Sequence, residues 1–232
     1  MQWYILSEST NPGVIGNVLP RLEEMFSAAN PYEDYVTRYI YEPLPANLAV
    51  PNYRMLHRAK LTDWMSSNMT NGSMLISEKL LNCLSAFVAP PQKVFSTRIF
   101  DKKGDARTYF LLLQNARFDI IDYERSIFCS IKGQYLQNDR YVYECDEFKA
   151  FDFEDHKNRG GAGPISLFMK EDIPFDYFLL AAPPFFWMVN EKVAEALRAA
   201  NITGICLIPF QQGDDFVNDD LVSKAMRAEG LK

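Results

Sequence analysis

Twice in this chain an apolar, strand-like run ends on a small polar residue, an acid follows, and apolar side chains then recur at helical spacing. In the first instance Met74-Leu75-Ile76 meets Ser77 and Glu78, and Leu80, Leu81, Leu84 and Phe87 continue the pattern. In the second, Phe185 to Val189 meets Asn190 and Glu191, followed by Val193, Leu197 and Ala200. A Ser or Asn side chain at that place accepts a backbone N–H of the first helical turn, and an acid beside it faces the positive end of the helix dipole. Each instance therefore predicts a strand running directly into a helix with one face to bury, the first helix ending before Pro90-Pro91. Laid over one another, the two keep a constant offset of 113 residues, with Leu84 on Leu197 and Ala86 on Ala199. Strand, cap and amphipathic helix are common local grammar, so the sequence leaves open whether the two units are a duplication.

The rest of the chain reads around these units. Trp3 to Leu6 suits a strand that stops at the turn-forming Ser9 to Gly13, and Leu19 to Ala28 reads as a short helix or turn. Asn30 to Pro51 carries Pro31, Pro43, Pro45 and Pro51 among tyrosines, which suits an irregular wrapping segment anchored by its aromatics. Val94 to Phe100 and Tyr109 to Leu113 predict a β-hairpin about the charged turn Asp101 to Asp105. Phe118 to Tyr123 reads as a central strand leading to Ile127-Phe128, Tyr141 to Tyr143 as another strand, and Arg159 to Pro164 as a glycine-rich turn or hinge. Ile205 to Phe210 predicts a strand packed against the second helix, and Asp220 to Ala228 a short terminal helix. The expected fold is α+β: a mainly antiparallel sheet covered by two strand-to-helix units, with an irregular Pro/Tyr-rich N-terminal segment. One domain over 1–232 is expected, with a strand and wrapping segment at 1–73, a core at 74–210 and a polar tail at 211–232.

Composition removes several function classes. A net charge of −6 and a pI near 5.1, with no sustained Lys/Arg stripe, argue against nucleic-acid binding and suit a basic protein partner better. Cys83, Cys129, Cys145 and Cys206 stand far apart in apolar or strand-like stretches without C-x-x-C, and read as reduced core thiols. The opening Met-Gln-Trp-Tyr-Ile-Leu lacks the basic start and cleavage site of a signal peptide, so a cytoplasmic protein is expected. The longest apolar run, Phe178 to Val189, is too short for a membrane span and holds Pro183 and Pro184.

Candidate chemistry is sparse. Of the two histidines, His57 sits in a basic and apolar context with no carboxylate to orient it, and reads as structural. His156 follows Asp152, Glu154 and Asp155 and precedes Gly160-Gly161-Ala162-Gly163, which raises a small-ligand or metal-dependent enzyme as the alternative reading. The spacing fits neither a helical metal motif nor a calcium loop, and no G-K-[ST] follows the glycines, so a solvated loop is the simpler account. Asp119 and Asp122 could stand as paired carboxylates near a strand end, although a polar strand edge is the more ordinary account. No G-x-S-x-G elbow is present. No catalytic, cofactor or metal residues are therefore assigned. For docking a partner, the acidic sets Asp152, Glu154, Asp155 and Asp214, Asp215, Asp219, Asp220 are the candidates, since clustered charge steers association.

Three stretches in order carry a family resemblance: Leu75-Ile76-Ser77-Glu78-Lys79; Phe118-Asp119-Ile120-Ile121-Asp122-Tyr123-Glu124-Arg125-Ser126; and Val189-Asn190-Glu191-Lys192 through Gly204 to Phe210. Together they resemble the immunity proteins of bacterial polymorphic-toxin systems, specifically the eleventh immunity family, formerly a domain of unknown function. The resemblance covers about Met74 to Phe210. Asn190 stands where the family more often has Ser, and Lys132 to Pro164 has no counterpart. The resemblance implies a cytoplasmic protein that binds a cognate toxin stoichiometrically, without cofactor, membrane or reaction of its own, with homo-oligomerisation left open. It lends no functional residues; Asp122 and Gly204 read as structural positions, Gly204 at a chain reversal needing positive φ.

Overall fold

In the computed structural model, which describes residues 1–17, 21–25, 43–66, 72–132, 135–141, 160–181, 185–213 and 221–230, both strand-to-helix units form. The first half runs β1 (Trp3–Glu8), α1 (Pro12–Ile15), β2 (Leu22–Met25), β3 (Asn52–Met55), β4 (Trp64–Met65), β5 (Ser73–Ile76), α2 (Glu78–Leu84), β6 (Gln92–Phe100) and β7 (Ala106–Gln114). The second runs β8 (Ile127–Lys132), β9 (Tyr135–Tyr141), β10 (Gly160–Ser166), β11 (Tyr177–Leu180), β12 (Phe186–Asn190), α3 (Glu191–Ala199), β13 (Ile205–Phe210) and α4 (Leu221–Ala228). The fold is α+β and dominated by antiparallel pairing, divided among three sheets. Among the described residues no helix is long and apolar enough to cross a membrane.

Six strands, in the order β2-β3-β6-β7-β5-β4, curl into a nearly closed barrel whose one parallel pair is β3 with β6. The Arg21 and Leu22 N–H groups donate to the Ser66 carbonyl just past β4, bringing the two edges together. Closure of this kind protects strand edges that would otherwise template aggregation. Strand alternation then sends Leu22, Tyr53, Met65, Leu75, Ile99, Tyr109, Leu111 and Leu113 to one interior core. Leu44, Leu48 and Val50 pack against that core, so aliphatic side chains anchor the described part of the wrapping segment.

The second sheet, β11-β12-β1-β13, repeats the first unit strand for strand. Across the barrel, Met65, Leu75, Leu111 and Phe95 lie in one row on β4, β5, β7 and β6. Across the second sheet, Phe178, Met188, Ile5 and Ile208 form the matching row on β11, β12, β1 and β13. Three of the four positions keep the 113-residue offset, so the repeat hinted at by the two helices extends through the pairing register. The fourth does not: where the first unit uses its own β7, the second takes β1 from the far end of the chain. Helices α2 and α3 bury Leu80, Leu84, Val193, Ala194 and Leu197 in one core shared with both sheets.

Several local expectations need correcting. Leu22–Met25, inside the stretch read as a helix or turn, is strand β2: helix-prone Leu-Glu-Glu-Met is overridden by pairing with β3. Phe118 to Tyr123 is no strand but a turn-rich crossing with isolated bridges, Arg117 to Leu180 and Ile121 to Met169, folded on itself by the Tyr123 hydroxyl donating to the Phe118 carbonyl at 3.0 Å. The glycine-rich segment read as a turn or hinge is strand β10, an edge strand on β8, where glycine is tolerated and Pro164 coincides with a register shift. Ser9 to Gly13 runs into the short helix α1, capped by Asn11, whose side chain accepts the Gly13 N–H at 2.8 Å. The hairpin, β1, β13 and α4 form where expected.

Candidate functional site

The densest polar constellation among the described residues lies where the two repeats meet. Ser77 caps α2 by accepting the Leu80 N–H at 3.2 Å, and its hydroxyl donates to Asp63 at 2.7 Å. Asn190 caps α3 by accepting the Val193 N–H at 3.1 Å, and its amide donates to Asp176 at 2.7 Å. Asp63 and Asp176 are themselves 113 residues apart. The cap must accept from the helix and donate to a carboxylate, which Ser and Asn can both do and an acid cannot. That explains why Asn190 serves in place of Ser.

The second oxygen of each aspartate reaches across to the other repeat. Asp63 accepts the Thr203 N–H and hydroxyl, both at 2.8 Å, just beyond the end of α3. Asp176 accepts the Val88 N–H at 2.9 Å, just beyond the end of α2. Each carboxylate thus ties the start of one helix to the exit of the other, which fixes α2 and α3 antiparallel. Burial pushes the Asp63 carboxyl up, but hydrogen bonds from Ser77 and Thr203 and the Lys79 charge outweigh it and hold the group below its ordinary value. A carboxylate with a depressed folded pKa contributes stability that is present above its unfolded pKa and lost as pH falls through the folded one. Asp63→Asn is therefore expected to lower stability by about 1–3 kcal/mol at neutral pH. The difference from wild type should shrink in acid; urea unfolding at neutral and acidic pH would show it, and an equal gap at both would contradict the assignment.

Beside this clamp lies an ion pair buried on the arginine side, the Glu8 side chain keeping 21% of its exposure. Arg21, fully buried, pairs with Glu8 at the end of β1 and donates to the Thr62 hydroxyl and the Trp64 carbonyl. Burial pushes Glu8 up and Arg21 down, each partly offset by the other's charge. The Tyr109 hydroxyl donates to the Thr62 carbonyl at 2.6 Å, and burial, with the nearby Asp63 charge, pushes it up to about 12. Gly204 closes the junction at φ 78°, with space for no Cβ: one would stand 2.3 Å from Thr62 Oγ1. Its structural reading from sequence holds.

Most of the polar atoms of these groups join elements of the fold, while Arg21 Nε is buried without a hydrogen-bond partner among the described residues. Among the described residues no three His, Cys, Asp or Glu side chains gather as a metal site. His57 is exposed in a turn. Asp119 is held by Arg117, with Nε at 2.8 Å, and Asp122 accepts the Arg125 N–H at 3.3 Å, so each carboxylate is engaged by its own neighbour. Cys83 and Cys206 are free thiols; burial, then the Glu229 charge, pushes Cys206 up to about 12. Asp152, Glu154, Asp155, His156, Asp214, Asp215, Asp219 and Asp220 lie outside the described residues.

One surface feature was read in the sequence only as a charged turn. At the tip of the β6–β7 hairpin, Arg98, Lys102, Lys103 and Arg107 are exposed beside Arg54 of β3. A shallow depression of about 300 Å³ opens there, bounded by Arg54, Lys102 and Lys103 over Met25, Met55 and Phe100. No family model matches the chain, and no curated protein matches it.

Proposed function

We propose that this chain is an immunity protein that binds and neutralises a cognate bacterial toxin in the cytoplasm, one to one and without chemistry of its own. The observation that carries the reading is where the family-like motifs fall. Ser77 and Asn190 cap helices, Gly204 fills a reversal too tight for a side chain, and Asp122 accepts an N–H within its own turn. Motif residues devoted to holding a scaffold, rather than converging on a cleft, suit a family whose members share a frame and differ in the surface each presents to its own toxin. Conserved chemistry would instead demand convergent groups around a pocket.

Co-expression with the toxic C-terminal domain encoded in the adjoining reading frame tests this directly. The expected result is restored growth together with an equimolar complex on gel filtration. Unprotected cells and two separately eluting proteins would sink the proposal.

A further inference from the structure

We propose that the open end of the β6–β7 hairpin is the surface on which the partner protein docks, through an acidic segment carrying an apolar side chain. The inference rests on the immunity reading and names the contact that reading leaves unassigned. Its sense of charge is opposite to that of the chain as a whole, which carries −6.

The local electrostatics explain why the cations are available. Asp101 uses one carboxylate oxygen to hold the turn, accepting the N–H groups of Lys103 at 2.8 Å and Asp105 at 3.0 Å, and its charge acts on Arg107. Glu23 stands across from Arg54 in the β2–β3 pairing. Arg98, Lys102, Lys103 and Arg107 remain exposed on the hairpin, and the only other acid in its turn is Asp105. Below them the floor is Met25, Met55 and Phe100. An apolar floor inside a charged rim is the anatomy of a protein contact, and methionine side chains adapt readily to the group they receive. A phosphate cradle would present converging backbone N–H groups or a buried arginine fork instead. The acidic chain as a whole also repels an extended polyanion. A depression of this size holds one anchoring side chain, with acids on either side of the anchor meeting Lys102 and Lys103.

The test is a calorimetric titration with the purified toxic domain from the adjoining frame. Three proteins are compared: wild type, Lys102→Glu/Lys103→Glu, and a control, Lys170→Glu/Lys192→Glu, that changes net charge equally at exposed positions elsewhere. The hairpin variant is expected to bind at least about tenfold more weakly and the control within about twofold of wild type, with wild-type affinity falling as salt rises. A milder Lys102→Gln/Lys103→Gln pair should fall between them. Wild-type binding with the hairpin variant as tight as the control overturns the docking assignment and leaves the immunity reading standing. Absence of wild-type binding removes both. A short single-stranded oligodeoxynucleotide that binds wild type as tightly, with the same dependence on Lys102 and Lys103, reassigns the surface to nucleic acid and overturns the proposal.

Discussion

Arg21→Met is expected to destabilise the protein by about 2–4 kcal/mol, somewhat below the range for breaking a fully buried ion pair because the Glu8 side chain keeps 21% of its exposure. The arginine is fully buried, and its removal takes away the partner of Glu8 together with the donors to Thr62 and Trp64. The pH dependence gives the prediction a second handle. Burial already raises the Glu8 pKa, and without Arg21 it rises further. A carboxyl with a raised folded pKa contributes stability that is present below its unfolded pKa and lost as pH rises through the folded one. The penalty of Arg21→Met should therefore be largest in mildly alkaline buffer and smaller in acid. Adding Glu8→Gln should recover part of the loss, because the double variant leaves no unpaired charge. Urea unfolding of the single and double variants across that pH range provides the measurement. A single variant within 1 kcal/mol of wild type, or losses that simply add, would show the pair to be ornamental.

Gly204→Ala is expected to cost about 2–5 kcal/mol, from two separate causes. A side chain at φ 78° sits in the left-handed region, which disfavours an L-residue by roughly 1–2 kcal/mol. The new Cβ would also stand 2.3 Å from Thr62 Oγ1 and 2.8 Å from the Trp64 carbonyl, and relieving that overlap adds about 1–3 kcal/mol. Thr62 cannot simply turn away, since its hydroxyl accepts from Arg21 and donates to the Trp64 carbonyl at 2.6 Å. Thermal denaturation should register a large drop in midpoint. Thr62→Ala in the same chain should return only part of it, because the backbone penalty stays. A midpoint unchanged by Gly204→Ala would mean that the chain reversal is wrongly drawn.

The sequence disclosed local features written in adjacent residues. The caps at Ser77 and Asn190, the β6–β7 hairpin and the glycine reversal all follow from short-range chemistry and form as expected, and so do the helical faces as far as Leu84 and Leu197, Phe87 and Ala200 falling beyond the helix ends. Features set by distant pairing were hidden. Leu22–Met25 becomes a strand only because β3 lies beside it, and the glycines of β10 are extended only because β8 satisfies their backbone. Phe118 to Tyr123 failed for the opposite reason: its two isoleucines suggested a strand, but Ile120 is buried from a turn and Ile121 from a single bridge to Met169. The aspartate clamp was within reach. Carrying the 113-residue offset upstream aligns Asp63-Trp64-Met65 with Asp176-Tyr177-Phe178, and the recurrence of an acid before two large apolar residues was the available signal. The cationic hairpin was masked by arithmetic, since a negative total conceals a positive end.

Strand β1 carries a consequence for handling the molecule. It lies between β12 and β13, so the first residues of the chain are interior masonry of the sheet built mainly from the last. Neither half of the polypeptide, cut between the repeats, contains a whole repeat of the second kind. Trimming the amino terminus before Glu8 would open a gap at the centre of the distal sheet, and a purification handle belongs where it leaves Trp3, Ile5 and Leu6 seated.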